Sequence, residues 1–232
     1  MVVGNTAGTL VAIAEVEGQR VVFGSGPSRS HAADLLGRTT RPWDREIDLL
    51  VLPGWDDRHV TGALGLVERE SVQGIAVIGI PGNEPAWTHL ERETQARGID
   101  FVFLNGASKL SIASGSDISF SEVAGQADGA WFRLEHHGKR IDILDGDGDQ
   151  FARPDPAALD RVSRHVLINT RGYGAPDGQG PELLIIQTPH WQGDFGETVN
   201  RHVAMIDRND HIAIALEDDG FSLPLDDVQI RE

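Results

Sequence analysis

The 232-residue chain contains no cysteine. That single absence excludes disulfides, thiolate metal sites and cysteine nucleophiles together. Lysine is almost missing too: of the 20 lysine and arginine residues only Lys109 and Lys139 are lysine, a bias we read as compositional. No apolar run approaches the roughly 20 residues needed to span a bilayer. The opening "MVVGNTAGTLVAIAEVEG" has neither the basic segment nor the long apolar segment of a secretory signal. The expectation is a soluble chain with no membrane segment, cytoplasmic by default, and extracytoplasmic if it was excised from a membrane protein. No G-x-G-x-x-G or G-x-x-x-x-G-K-[ST] follows an expected strand, which argues against a doubly wound nucleotide-binding fold.

What is present is an ordinary globular mix, 40% hydrophobic and 24% charged. A chain of this size buries a core without covalent staples. The net charge is -16. So acidic a surface repels phosphate backbones, and no general nucleic-acid-binding surface is expected. Anionic membranes are disfavoured for the same reason.

Along the chain, "TLVAIAEVEGQRVVFGSG" reads as two strands around a turn at Glu17-Gly18-Gln19. "SHAADLLGRTT" reads as a helix with Ser30 as N-cap. "EIDLLVLPG" and "GIAVIGIPG" are short continuous apolar runs, which implies strands covered on both faces. "VTGALGLVERESV" and "EPAWTHLERETQARG" are expected helices, the second stopped by Gly98, and "IDFVFLN" a further strand. The second half changes texture. Short antiparallel strands are expected in "GASKLSIASGSDISFSEVAG", and a hairpin turning at His137-Gly138-Lys139 in "GAWFRLEHHGKRIDILDGDGD". A helix entering at Pro156 and then a strand follow in "RPDPAALDRVSRHVLINT", then a strand in "PELLIIQTP", a helix in "GETVNRHVAMI" and a last hairpin in "HIAIALEDDGFSLPL". Strands and helices mix throughout, with no low-complexity linker. The pattern implies one domain over residues 1–232, a layered α/β sandwich with mixed sheets.

The chemistry-bearing stretch is "LLVLPGWDDRHVTGALGL", Leu49 to Leu66, where Trp55, Asp56, Asp57, Arg58 and His59 follow an expected strand directly. Acids and a histidine past a strand end suit a metal site; they suit a solvated loop equally. "DGDGD", Asp145 to Asp149, fails the EF-hand pattern, since Gln150 and Pro156 stand where that loop needs Gly and Glu. His136 and His137 fall in or beside a turn. Ser25 and Ser114 lie in small-residue turns that lack the G-x-S-x-G elbow. Trp55 either fills space beside the loop or offers a contact to a partner.

These residues resemble a family. "VVFGSGP", "RPWDREIDLLVLPGWDDRHVTGALGLVERESVQGIAVIG", "GAWFRLEHHGKRIDILDGDGD" and "TPHWQGDFGETVNRHVAMIDRNDHIAIALEDDG" are similar to the metallo-β-lactamase fold, most closely the version attached to ComEC-like competence proteins of the DNA-uptake channel family. The resemblance covers nearly the whole chain and implies an αββα sandwich with two mixed sheets. It also implies a motif Thr-His-x-His-x-Asp-His, or the same with Asp for the second His, binding Zn²⁺ or Mn²⁺, which would activate water by lowering its pKa. In this chain Pro53, Gly54, Asp56 and Arg58 stand at the first four of those positions, and His59 alone matches the last. The resemblance maps the bridging Asp onto Asp147, the late histidine onto Arg171 and the Asp of the second-strand turn onto Gly24, and it places His190 near a loop over the site.

Asp56, His59 and Asp147 are then the remaining donors if any metal binds. A guanidinium at Arg58 or Arg171 cannot coordinate a cation and repels it. The expectation is that Arg58 or Arg171 pairs with Asp56 or Asp147 and replaces the ion electrostatically. The resulting reading is a catalytically degenerate domain acting as a scaffold or binding module, with no cofactor and an unknown protein partner or small anion as ligand. The vestigial cleft would comprise Asp56, Asp57, Arg58, His59, Asp147, Arg171 and His190. One alternative is an active Zn- or Mn-dependent hydrolase, a phosphodiesterase or nuclease, with an atypical site. The other is a small-anion sensor using Arg58 and Arg171.

Overall fold

The computed structural model describes residues 2–6, 9–41, 43–104, 109–113, 116–122, 129–136, 139–146, 166–169, 183–187, 202–206, 211–213, 215–217 and 220–222. The chain divides into two compact units, residues 1–105 with 209–211, and residues 106–208 with 212–232.

The first unit begins with an antiparallel meander of β1 (Val2–Thr6), β2 (Thr9–Val16) and β3 (Gln19–Phe23). Glu17 and Gly18 join β2 to β3, both with positive φ (51° and 84°). Such a two-residue turn matches the right-handed twist of the flanking strands. The remainder alternates: α1 (His31–Thr39), β4 (Glu46–Ile47), β5 (Leu49–Leu52), α2 (Asp57–Arg69), β6 (Ser71–Val72), β7 (Gly74–Ile78), α3 (Pro85–Arg97) and β8 (Asp100–Leu104). Strands β3, β5, β7 and β8 are neighbours and parallel. Parallel neighbours need crossovers, and α1, α2 and α3 supply them.

The core lies where α1 and α2 cover this sheet. Leu50, Leu52, Ile75 and Val77 meet Val60, Ala63, Leu66 and Val67, and all are fully buried. Each such aliphatic side chain contributes about 1.5–3 kcal/mol on leaving water. Val51 and Ala76, on the opposite face, are also fully buried. Both faces of β5 and β7 are therefore covered, as their unbroken apolar runs imply.

The second unit carries β9 (Lys109–Ala113), β10 (Ser116–Glu122), β11 (Gly129–His136), β12 (Lys139–Gly146), β13 (Val166–Asn169), β14 (Leu183–Gln187) and β15 (His202–Ile206). They form one sheet in sequence order, antiparallel from β9 to β12 and parallel from β12 to β15. Phe132 and Leu134 alternate along β11, Ile141 and Ile143 along β12, and all four are buried. The last described strands are β16 (His211–Ala213), β17 (Ala215–Glu217) and β18 (Gly220–Ser222), of which β17 and β18 form a hairpin. Among the described residues no helix is long and apolar enough to cross a membrane.

Four expectations need correction. "VVGNT" is a strand, β1, that the sequence reading passed over. Helix α2 begins at Asp57, ahead of Val60, and Ser71-Val72 leaves it to form β6. Ser30 is the N-cap residue of α1 as expected, but it has helical geometry and makes no side-chain capping bond; its hydroxyl lies 3.4 Å from that of Ser28. "HVAMI", expected in a helix, is strand β15 beside β14. A short apolar run has no decisive period, and the neighbouring strand sets its state. The helix expected from Pro156 lies outside the described residues.

Candidate functional site

Strand β5 ends at Leu52, and Pro53 to Asp56 turn the chain into α2. Asp56 is extended (φ -73°, ψ 170°) and is the N-cap of that helix. Its Oδ1 accepts the backbone N–H of Arg58 at 2.9 Å and of His59 at 3.3 Å. A helix leaves its first N–H groups without intrahelical partners, and a capping carboxylate satisfies them while facing the positive end of the helix dipole. Asp57 follows, exposed, in the first turn, where the dipole also favours an acid.

The other oxygen of Asp56 faces an arginine. Arg58 donates to Oδ2 from Nη2 at 3.0 Å and from Nε at 3.3 Å. The His59 Nδ1 lies 2.9 Å from Oδ1. These neighbours hold the Asp56 carboxyl far below the usual carboxylate range. The His59 ring is the largest cause; partial burial opposes it, and Arg58 adds to it. Asp56 is therefore ionised and already engaged through both oxygens.

The glycine at 54 explains where the His59 ring goes. A Cβ there would stand 2.9 Å from His59 Nδ1 and 3.3 Å from Cε1. The imidazole thus rests against the bare backbone of Gly54 and is almost fully buried. Trp55 turns the other way. A Cβ on Gly82 would come within 3.1 Å of its ring, and Gly79 also borders it. Trp55 packs partly buried against the core, so the ring fills space beside the loop.

A second loop locks the start of α2. Buried Ser25 donates its hydroxyl to the backbone carbonyl of His59. Its role is structural, consistent with the lack of a nucleophile elbow. Helix glycines make the approach possible: a Cβ on Gly62 would fall 2.1 Å from the Ser25 carbonyl oxygen, and one on Gly65 1.9 Å from that of Arg29. The sequence reading missed these two positions, although their three-residue spacing on one helix face was a visible signal.

It also missed Arg20, which is 5% exposed. Its guanidinium donates to Glu15 at 2.5 Å, to the Asp44 carboxylate at 2.7 Å and to the Glu46 carbonyl at 2.9 Å. Its backbone N–H donates to Asp48 at 2.7 Å. This cluster fixes the segment that leads into β5, and hence the loop beyond it.

The site residues therefore divide. Asp56, Arg58 and His59 are brought together; Asp57 points to solvent; Asp147, Arg171 and His190 lie outside the described residues. Among the described residues no three His, Asp or Glu side chains are grouped to hold a metal ion. The Asp56–His59 pair, with Arg58 on the carboxylate and the ring on Gly54, does not fit a divalent cation as it stands. A cation would have to displace a guanidinium and two capping N–H groups.

No protein-family model matches the sequence, and no curated protein matches it significantly. Solved structures do resemble it. The metallo-β-lactamase fold protein YhfI from Bacillus subtilis is 11% identical, with 90% of this chain and 98% of that chain covered and a TM-score of 0.57. Human tRNase Z, short form, is 13% identical, with 92% and 99% covered and a TM-score of 0.57. The diiron β-hydroxylase CmlA from Streptomyces venezuelae is 10% identical, with 80% and 44% covered and a TM-score of 0.50. The chain has the metallo-β-lactamase fold, the mixed αββα class expected from its sequence.

Proposed function

We propose that this chain is a catalytically degenerate metallo-β-lactamase-fold domain that serves as a scaffold or binding module. The observation that carries this reading is the state of Asp56. Its carboxylate caps α2 and pairs with Arg58, so charge compensation comes from the protein itself. The Gly54 position, where the resemblance places a histidine ligand, is covered by the His59 ring. The reading treats residues 1–232 as one domain, supported by coverage of 90% of this chain and 98% of YhfI. It takes the relationship to ComEC-like soluble domains from the sequence resemblance. The fold itself does not choose an activity, since structures named as a tRNase and as a diiron β-hydroxylase share it.

The competing reading is a Zn- or Mn-dependent hydrolase with an atypical site, drawing on Asp147 and His190 as well. The anion-sensor reading is weakened by Arg58, which already holds a carboxylate. Elemental analysis after loading with Zn²⁺ and Mn²⁺ and removing the excess separates these. We expect no retained metal. Stoichiometric retention that Asp56→Ala and His59→Ala abolish would overturn the proposal and make phosphodiesterase and nuclease assays the next step.

A further inference from the structure

Strand β8 lies at the end of its sheet. It pairs with β7 through an unbroken register from Asp100 to Leu104. Edge strands are usually guarded by lysine, proline or a bulge. Here the sequence is "DFVFL", with a lone charge at its start and no bulge. Val102 is 44% and Phe103 51% exposed.

The backbone polarity of this edge is fixed. The Leu104 carbonyl accepts from the Gly79 N–H on the β7 side. Successive residues in a strand direct their N–H and C=O to alternate sides. Asp100, Val102 and Leu104 therefore bond toward β7, and the N–H and C=O groups of Phe101 and Phe103 point outward. The aromatic side chains share one face: Phe101 and Phe103 stack at 6.0 Å between ring centroids, and Trp87 of α3 lies 5.0 Å from Phe101. Beside them α3 leaves an open groove of about 510 Å³, lined in part by Thr88, Glu91, Arg92, Gln95 and Phe101.

We infer that β8 is a dimerisation edge, which pairs antiparallel with β8 of a second copy of this chain around a twofold axis at Val102. In that register Phe101 of each copy opposes Phe103 of the other. These are the residues whose outward N–H and C=O groups form a reciprocally bonded antiparallel pair. The Phe103 ring of one copy enters the groove beside Phe101 of the other, and such cross-strand aromatic pairs stabilise sheets. Val102 faces its own copy as the non-bonded pair. Charge fits the same symmetry. A twofold interface must be self-complementary, with residue i meeting j and j meeting i. Glu91 and Arg92 are adjacent, exposed and opposite in charge on the groove wall, so each meets its opposite in the second copy.

Sedimentation velocity of the full chain over a concentration series tests this. The expected result is a concentration-dependent species of twice the chain mass. Phe103→Lys should be monomeric at concentrations where the parent is dimeric. Glu91→Arg or Arg92→Glu alone should raise the dimer dissociation constant about tenfold or more, and the double exchange should restore it. The charge exchange decides the matter if Phe103→Lys does not fold. A parent chain that stays monomeric throughout, or a dimer untouched by the charge reversals, overturns the proposal.

Discussion

At the scale of single residues, Asp56 has two physical explanations, and the structure supplies the second. From sequence it reads as a relic metal ligand; in the fold it caps a helix and neutralises Arg58. The capping signal, an Asp just before a helix, was present in the sequence but hidden because α2 was expected to start at Val60. Asp56→Ala should therefore lower stability by about 1–2 kcal/mol in urea unfolding, the usual cost of a lost cap. Arg58→Ala should cost under about 1 kcal/mol, since that pair is partly exposed. The pH dependence follows from the depressed Asp56 pKa. A carboxyl lowered in the folded state stabilises it fully above the ordinary value near 4, and the contribution fades as pH falls. The stability difference between the parent and Asp56→Asn should thus be widest near neutrality and shrink below about pH 4. A gap that grows on acidification would contradict this. Arg20 was illegible for another reason: its partners Glu15, Asp44 and Glu46 converge only after β2, β3 and the segment before β5 are in place.

At the scale of elements, α2 shows why one substitution has opposite signs in two helices. Gly→Ala normally stabilises a helix interior by up to about 1 kcal/mol. Gly37 in α1 has nothing within 4 Å of an added Cβ, so Gly37→Ala should raise the melting temperature. Gly62→Ala and Gly65→Ala force a methyl into the carbonyls of Ser25 and Arg29. Each should cost about 3 kcal/mol or more, at or beyond the upper end for overpacking, because the obstacle is backbone. Thermal melts of the three variants check the ordering. Periodicity located α1, α2 and α3, and Gly98, left-handed at φ 70°, stops α3 as expected. It failed at "HVAMI", whose pairing with Leu183 to Gln187 is a long-range contact that no local pattern contains.

For the whole molecule, the charge of -16 is the dominant collective quantity. Like charges repel more in the compact state than in the expanded chain, and salt screens them over roughly 10 Å at 0.1 M. The melting temperature should rise when ionic strength increases from low to physiological. A flat or falling response would mean that specific ion pairs, such as the Arg20 cluster, outweigh the general repulsion. The β5 and β7 stretches were legible as apolar runs and the β2–β3 and β11–β12 hairpins from their turns, whereas β1 was passed over and β15 read as a helix.

The sequence by itself determined that the chain has no disulfide or cysteine chemistry, and it gave the order of most elements. A missing cysteine, a strongly negative charge and short apolar runs are properties of composition and act without any fold. Tertiary structure decided what individual polar groups do. Asp56 became a cap because α2 starts beside it. Gly62 and Gly65 became contact points because the loop after β3 passes over them. β8 became an edge because the sheet ends there. Each depends on segments far apart in the chain being brought together by core burial, a force that acts on total apolar area and leaves no local mark on the residues it positions.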